Sequence, residues 1–308
     1  MKMKYNKMAL RLIIGFVALL PAAGCAAGGP LGDERKWVPG MGDVPDRIGH
    51  APGPADENRT FPNLWSHDDV PAKIGLTEPT GKWFFLNGEG KLGYGLTGGV
   101  RRPESEWKVT LFGHEEGGVP VNRDVRVRLV ARSPDLAEKA VVSEEIVRVD
   151  AVTGEKQIAS GRIPEGDNAL YSLSAEILDA KGRAEDARVS LIYAPAPEIN
   201  ASLSTDRGVY GTSDRTAQLV LKNDGPTVLM LGLAYTVEKL VDDRWRVVPL
   251  DLAFPEIALY LMPGESHRQP FDLSGLTEGR YRIIKTVLAE GFEDLSAVLA
   301  AEFRVEHR

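Results

Sequence analysis

A single cysteine, Cys25, serves all 308 residues. No intramolecular disulfide can form, so each folded unit must stand on packing alone. Histidine is almost as scarce: His50, His67, His114, His267 and His307 are widely scattered, with no two at metal-ligand spacing. Positive charge is in deficit, with 37 Lys and Arg against 44 Asp and Glu and a net charge of -7. That balance argues against non-specific nucleic-acid binding. The apolar run Leu12 to Leu20 falls well short of the roughly 20 residues that a spanning helix needs. There is no Gly-x-Ser-x-Gly elbow, no P-loop, no dinucleotide glycine fingerprint and no Asp-x-Asp-x-Asp-Gly loop. Ser, His and Asp occur, but no spacing selects a triad. The reading that follows is of a protein with no catalytic residues, no metal and no cofactor.

What is present begins with an address. Lys2, Lys4, Lys7 and Arg11 precede the short apolar run, and Pro21-Ala22-Ala23-Gly24-Cys25 follows it. This is a secretory signal over 1–24 whose end resembles a bacterial lipoprotein lipobox, with small residues before a cysteine that would carry diacylglycerol. Ala22 departs from the leucine favoured there. The competing reading is ordinary secretion with Cys25 left over. Lipidation at Cys25 would hold the chain on a membrane through several acyl chains. Loss of 1–24 removes four basic and no acidic residues and takes the mature chain to -11.

Glycine (32) and proline (20) are plentiful, and they cluster at the start of the mature chain. Residues 25–79 carry Pro30, Pro39, Pro45, Pro52, Pro54, Pro62, Pro71 and Pro79 without apolar periodicity. This pattern predicts the acylated cysteine followed by a flexible tether. Phe61-Pro62-Asn63-Leu64-Trp65 is the exception, expected to dock on the folded part or to do nothing, with a partner-binding motif as the alternative.

From Lys82 the period becomes two. Strands are expected over Lys82 to Leu86, running into a hairpin at Asn87-Gly88, and over Trp107 to Phe112, Val125 to Arg132, Val141 to Val149, Ala169 to Leu178 and Ala187 to Tyr193. Ser133 to Ala140 has room for one helical turn. In Val125-Arg126-Val127-Arg128-Leu129 apolar residues alternate with arginines, so one face should be buried and the other wet. Ala194-Pro195-Ala196-Pro197 reads as a stiff link, after which seven further strand runs follow. The prediction is all-β: two consecutive antiparallel sandwiches, over 80–196 and 197–308.

The second unit carries Tyr210, then Leu219-Val220-Leu221-Lys222-Asn223, Gly232, Tyr235, Glu238-Lys239, Trp245 and Pro249. Leu261-Met262-Pro263-Gly264-Glu265 and Gly279-Arg280-Tyr281-Arg282-Ile283-Ile284-Lys285 close it. In this it resembles the bacterial Ig-like domains of exported and membrane-anchored proteins, over about 199–306. Asp251 to Pro255 stands as an insertion against that pattern. The resemblance implies an Ig-like sandwich without catalytic activity, and no ligand. Trp245 is expected as the central core aromatic, Tyr281 as a tyrosine corner and Tyr235 as a core residue. Glu238, Arg282 and Lys285 are expected to pair as ions across neighbouring strands, worth roughly 0.2–1 kcal/mol. A charged binding patch is the other reading of them.

Two acidic clusters remain. His114-Glu115-Glu116 lacks the second histidine of a zinc-protease helix, and His67-Asp68-Asp69 sits in the tether. Glu115, Glu116 and Asp124 lie near glycine-rich turns where carboxylates can gather around calcium, but solvated loop charge is the expectation. Together these readings describe a lipid-anchored extracytoplasmic protein, a non-catalytic binding or structural module of the cell envelope. Its expected partners are the membrane, through the anchor, and an envelope protein or cell-wall component. An extracytoplasmic inhibitor or sensor acting on a protease or signalling protein, and an enzyme with its site in the first sandwich, are the alternatives.

Overall fold

A computed structural model describes residues 32–50, 64, 69–113 and 117–307. Before the first sandwich come a single 3-10 turn (Glu34–Lys36), strand β1 (Arg47–Ile48) and helix α1 (Val70–Lys73). The expectations at Cys25, at His67-Asp68 and at His114-Glu115-Glu116 lie outside the described residues.

The first sandwich is built from β2 (Leu92–Leu96), β3 (Gly99–Val100), β4 (Glu106–Gly113), β5 (Val119–Arg132), β6 (Glu138–Val152), β7 (Gly154–Arg162), β8 (Ala169–Leu178) and β9 (Ala184–Ala194). One sheet has the order β2-β4-β7 and the other β3-β9-β8-β5-β6. Period two places Trp107, Val109 and Leu111 of β4 in one core with Val125, Val127 and Leu129 of β5 and Leu173, Ala175 and Ile177 of β8. The turn at Asn87-Gly88 forms as expected, both residues having positive φ, 52° and 93°, as a type I′ turn requires, but the strand expected over Lys82 to Leu86 is reduced to isolated bridges at Phe84 and Leu86. The helical turn allowed for Ser133 to Ala140 is instead a bend stitched by Ser133, which accepts the Leu136 N–H on its carbonyl and donates its own N–H to Ala137.

The second sandwich contains β10 (Ala201–Thr205), β11 (Val209–Gly211), β12 (Thr216–Asn223), β13 (Leu229–Leu231), β14 (Thr236–Val241), β15 (Arg244–Val247), β16 (Leu259–Leu261), β17 (Ser266–Asp272), β18 (Gly279–Ala289) and β19 (Ser296–Glu306). One sheet runs β1-β10-β12-β17. In the other, β11, β19 and β18 lie side by side, and β13 and β14 both pair with β18. The chain is thus nearly all β.

Two expectations fail in instructive ways. Residues 33–50 are not a free tether. Val247 donates its N–H to Val38 O (2.8 Å) and Gly40 to Trp245 O (2.9 Å), so the segment runs along the edge of β15. It then crosses the outer face of β14 and β18, accepts the Ala300 N–H on Pro45 O (2.8 Å), and ends as β1 against β10. Proline and glycine deny it periodicity, but a docked strap needs none. It docks through backbone hydrogen bonds and through two isolated side chains, Trp37, which is buried in the cluster of the second sandwich, and Ile48, which packs against it, and it covers two sheet edges. Farther on, Leu64, Val70 and Ile74 join the same buried cluster as Leu191 and Tyr193.

That docking explains the second failure. Leu170, Leu191 and Tyr193 point away from the first sandwich core, onto the face expected to be wet, and are buried there. The stretch around Arg126 and Arg128 keeps partial exposure, and the neighbouring β6 stays open to solvent. The two sandwiches also meet directly. Tyr193 donates its hydroxyl to Pro226 O (2.8 Å), and Thr227 shares its hydroxyl between Ala196 O and Glu198 O. The guanidinium of Arg102 stacks on Phe292 (5.0 Å) and pairs with Asp294.

Candidate functional site

A buried polar network lies where the strap crosses the sheet that holds β14 and β18. Along β18, Tyr281, Ile283, Lys285 and Val287 share the interior face, so Arg282 and Ile284 face outward. On β14, Val237 faces in and Glu238 out, directly opposite Arg282 in the ladder. Arg282 donates to Glu238 Oε2 from Nε (2.7 Å) and approaches it again through a terminal nitrogen (2.6 Å). The strap closes the circuit. Met41 O accepts from Arg282 (2.6 Å), and the Met41 N–H donates to Glu238 Oε1 (2.9 Å). The two side chains are 2% and 1% exposed, so this outward-facing ion pair is buried by backbone laid over it. Gly40 makes the approach possible, since a Cβ there would lie 2.6 Å from the Glu238 carboxyl carbon.

Trp245 is not the core aromatic. It sits half-buried on edge strand β15, with the Arg282 guanidinium 4.3 Å from its ring centroid and that of Arg280 at 5.9 Å. The core aromatics are Tyr210, Phe271, Phe303 and Tyr281, which contact one another at 5.5–6.3 Å. Tyr281 is 1% exposed and donates its hydroxyl to Thr277 O (2.8 Å), which is the geometry of a tyrosine corner. Beside it, the Lys239 ammonium bridges the Thr277 hydroxyl (2.7 Å) and Glu34 of the strap (2.6 Å). Tyr235 is only partly buried, lying edge-on to Phe254 (4.8 Å) and Phe271 (6.4 Å), and burial pushes its phenol up.

Lys285 does not join the ion pair. It points between the sheets, 2% exposed, and donates to Gly232 O (2.7 Å), Ala234 O (3.3 Å) and Gln269 Oε1 (3.1 Å). The Gly232 and Ala234 carbonyls belong to the loop where the chain leaves β13 and rejoins the sheet as β14, and Gln269 lies on β17. The ammonium takes the place of the missing ladder. No carboxylate is among these partners, and burial lowers its pKa to about 8. The His267 imidazole is pushed down by burial and by Lys285, and its Nε2 is buried without a hydrogen-bond partner.

Outward of this break lies an apolar groove of about 660 Å³, lined among others by Met41, Met230, Tyr235, Ile257, Ile284 and Leu288. The stretch after the inserted Asp251 to Pro255 supplies one wall, with Glu256 as its carboxylate. In the first sandwich, Asp124 is an exposed partner of Arg148 (3.5 Å). Among the described residues no three His, Cys, Asp or Glu side chains converge on a metal-sized space. The arrangement as a whole is suited to holding chain segments against a sheet.

Of the expected site residues, the fold brings Glu238, Arg282 and Trp245 together, sets Tyr281 in the core nearby, and separates Lys285. Gly40, Met41, Lys239 and Gln269 were not anticipated. For Lys285 the signal was available: it has the same parity as Tyr281 and the opposite parity to Arg282.

Residues 197–304 match the family model of the bacterial Ig-like domain. No curated protein matches the chain. Among solved structures the chain is similar to red sea bream transglutaminase (12% identity, TM-score 0.31, covering 71% of this chain and 32% of that one). It is also similar to native Escherichia coli alpha-2-macroglobulin (16% identity, TM-score 0.28, covering 70% of this chain and 16% of that one). The matched part therefore spans about a third or less of those proteins' length.

Proposed function

We propose that this is an exported protein, acylated at Cys25, whose two sandwiches act as a non-catalytic binding or structural module at the cell envelope. The C-terminal bacterial Ig-like domain supports the modular role. The observation that carries the reading further is the strap. Residues 38–48 are hydrogen-bonded into the Ig-like sandwich, beginning only 13 residues after Cys25. At about 3.3–3.6 Å per residue, that stretch cannot exceed about 50 Å. An acylated Cys25 would therefore hold the Ig-like sandwich near the bilayer, rather than at the end of a long leash. The first sandwich, joined to it through Tyr193, Thr227 and Arg102, is carried by it.

Metabolic labelling with an alkyne fatty acid tests the anchor: wild type takes the label and Cys25→Ser does not. Cross-linking the acylated protein in its native envelope, followed by identification of the captured chains, tests the module. Recovery of an envelope protein or cell-wall component supports the reading. Hydrolytic activity of the purified chain on envelope substrates counts against it.

A further inference from the structure

Strand β6 is the outermost strand of its sheet, and no described strand pairs with its far edge. From Glu138 to Arg148 nearly every residue is exposed, on both faces of the strand. Val141, Val142 and Ile146 are 44%, 39% and 59% exposed, which gathers three large apolar side chains on one open edge. A long, open, partly apolar edge is a template for another strand. We propose that it pairs antiparallel with β6 of a second copy of this chain, with Ile146 on the two-fold axis.

Charge complementarity supports a second copy as the partner and disfavours the adjacent registers. With Ile146 opposite Ile146, Glu144 of each copy faces Arg148 of the other, giving two identical cross-strand ion pairs beside one apolar contact. Shifting the axis to residue 144 or 145 sets glutamate against glutamate. An axis at 147 sets Glu144 against Asp150. Both Glu144 and Arg148 are half-exposed or nearly so, and both remain within reach of solvent and of a partner while pairing with Arg128 and Asp124. The backbone groups on the open edge supply the hydrogen bonds.

The test uses the full chain carrying Cys25→Ser, so that any added cysteine is the only thiol. Sedimentation should show concentration-dependent dimers. Ile146→Cys should give a disulfide-linked dimer on mild oxidation, because directly opposed strand residues lie within disulfide reach. Val142→Cys should not, because in this register the two 142 positions are about 27 Å apart along the strands. Glu144→Arg and Arg148→Glu should each weaken association by about tenfold or more. The double swap E144R/R148E should restore it, with the melting temperatures of all three confirming that they fold. Linkage through Val142→Cys but not Ile146→Cys overturns the proposal. So does failure of the double swap to restore association. A protein that stays monomeric at millimolar concentration overturns it too, whatever other extended chains the edge accepts.

Discussion

Arg282 and Glu238 sit opposite each other on the outward face of β18 and β14, yet both are buried, because the backbone of Met41 is hydrogen-bonded to both of them. A cross-strand ion pair in water is worth little. Here the guanidinium also has the face of Trp245 at 4.3 Å, and the strap removes the pair from solvent. The pair therefore acts as the latch that fixes residues 33–50 to the Ig-like sandwich.

Breaking one side of the latch leaves the other charge buried and uncompensated. Glu238→Gln is expected to destabilise the protein by about 3–5 kcal/mol, far beyond the cross-strand value. Urea unfolding of the two proteins at one pH checks this. A loss below 1 kcal/mol would mean that the strap lifts away and lets Arg282 reach water.

The strap itself can be displaced without touching either charge. Gly40→Val places methyl groups where the Glu238 carboxylate now lies, since even a Cβ would come within 2.6 Å. The expected result is release of the strap, read as faster tryptic cleavage at Arg47, which wild type holds in β1 and pairs with Asp224 (2.7 Å).

Aromatic truncations should separate core from surface. Phe271→Ala and Phe303→Ala are expected to cost about 3–5 kcal/mol each, as buried aromatics do. Trp245→Ala removes a half-buried ring and its stacking with Arg282, and should cost about 1–2 kcal/mol. Chemical denaturation of the three variants gives the ranking. A loss for Trp245→Ala equal to that for Phe303→Ala would place the indole in the core.

Much of this was legible in the chain, and the misses have physical causes. Period-two alternation and turn residues identified both sandwiches, and the Gly279-Arg280-Tyr281 sequence pointed to the tyrosine corner that Tyr281 makes with Thr277. Trp245 misled because its flanking arginines, Arg244 and Arg246, look like the outward residues of a strand with a wet face. β15 is an edge, and its Trp lies beneath a third arginine from the neighbouring sheet face. The strap escaped detection because pairing through backbone leaves no apolar period. Only Gly40, flanked by Pro39 and Met41, marked the close approach, and one glycine among 32 carries no such message alone.

The last prediction concerns alkaline pH, where two buried groups act in opposite directions. Burial holds the Lys285 pKa at about 8, against 10.5 for the exposed group. Below pH 8 the ammonium is charged in both folded and unfolded chains, and the full burial penalty is present. Between pH 8 and 10.5 the unfolded chain binds more protons, so stability rises with pH, by up to about 3 kcal/mol. Tyr210 behaves in reverse. Burial, and its hydroxyl donation to Asp206 (2.8 Å), push its pKa up to about 12. Its stabilising effect is fully present below pH 10. Above that the unfolded chain loses the phenolic proton first, and stability falls as pH rises towards 12. Urea midpoints followed from pH 7 to 11 should therefore climb and then turn over near pH 10. Lys285→Met should abolish the climb, although it also strips Gly232 and Ala234 of a donor and lowers the whole curve. Tyr210→Phe should keep the climb and soften the fall. A wild-type curve that only declines from pH 8 would mean that the Lys285 ammonium is as well solvated in the folded protein as in the unfolded chain.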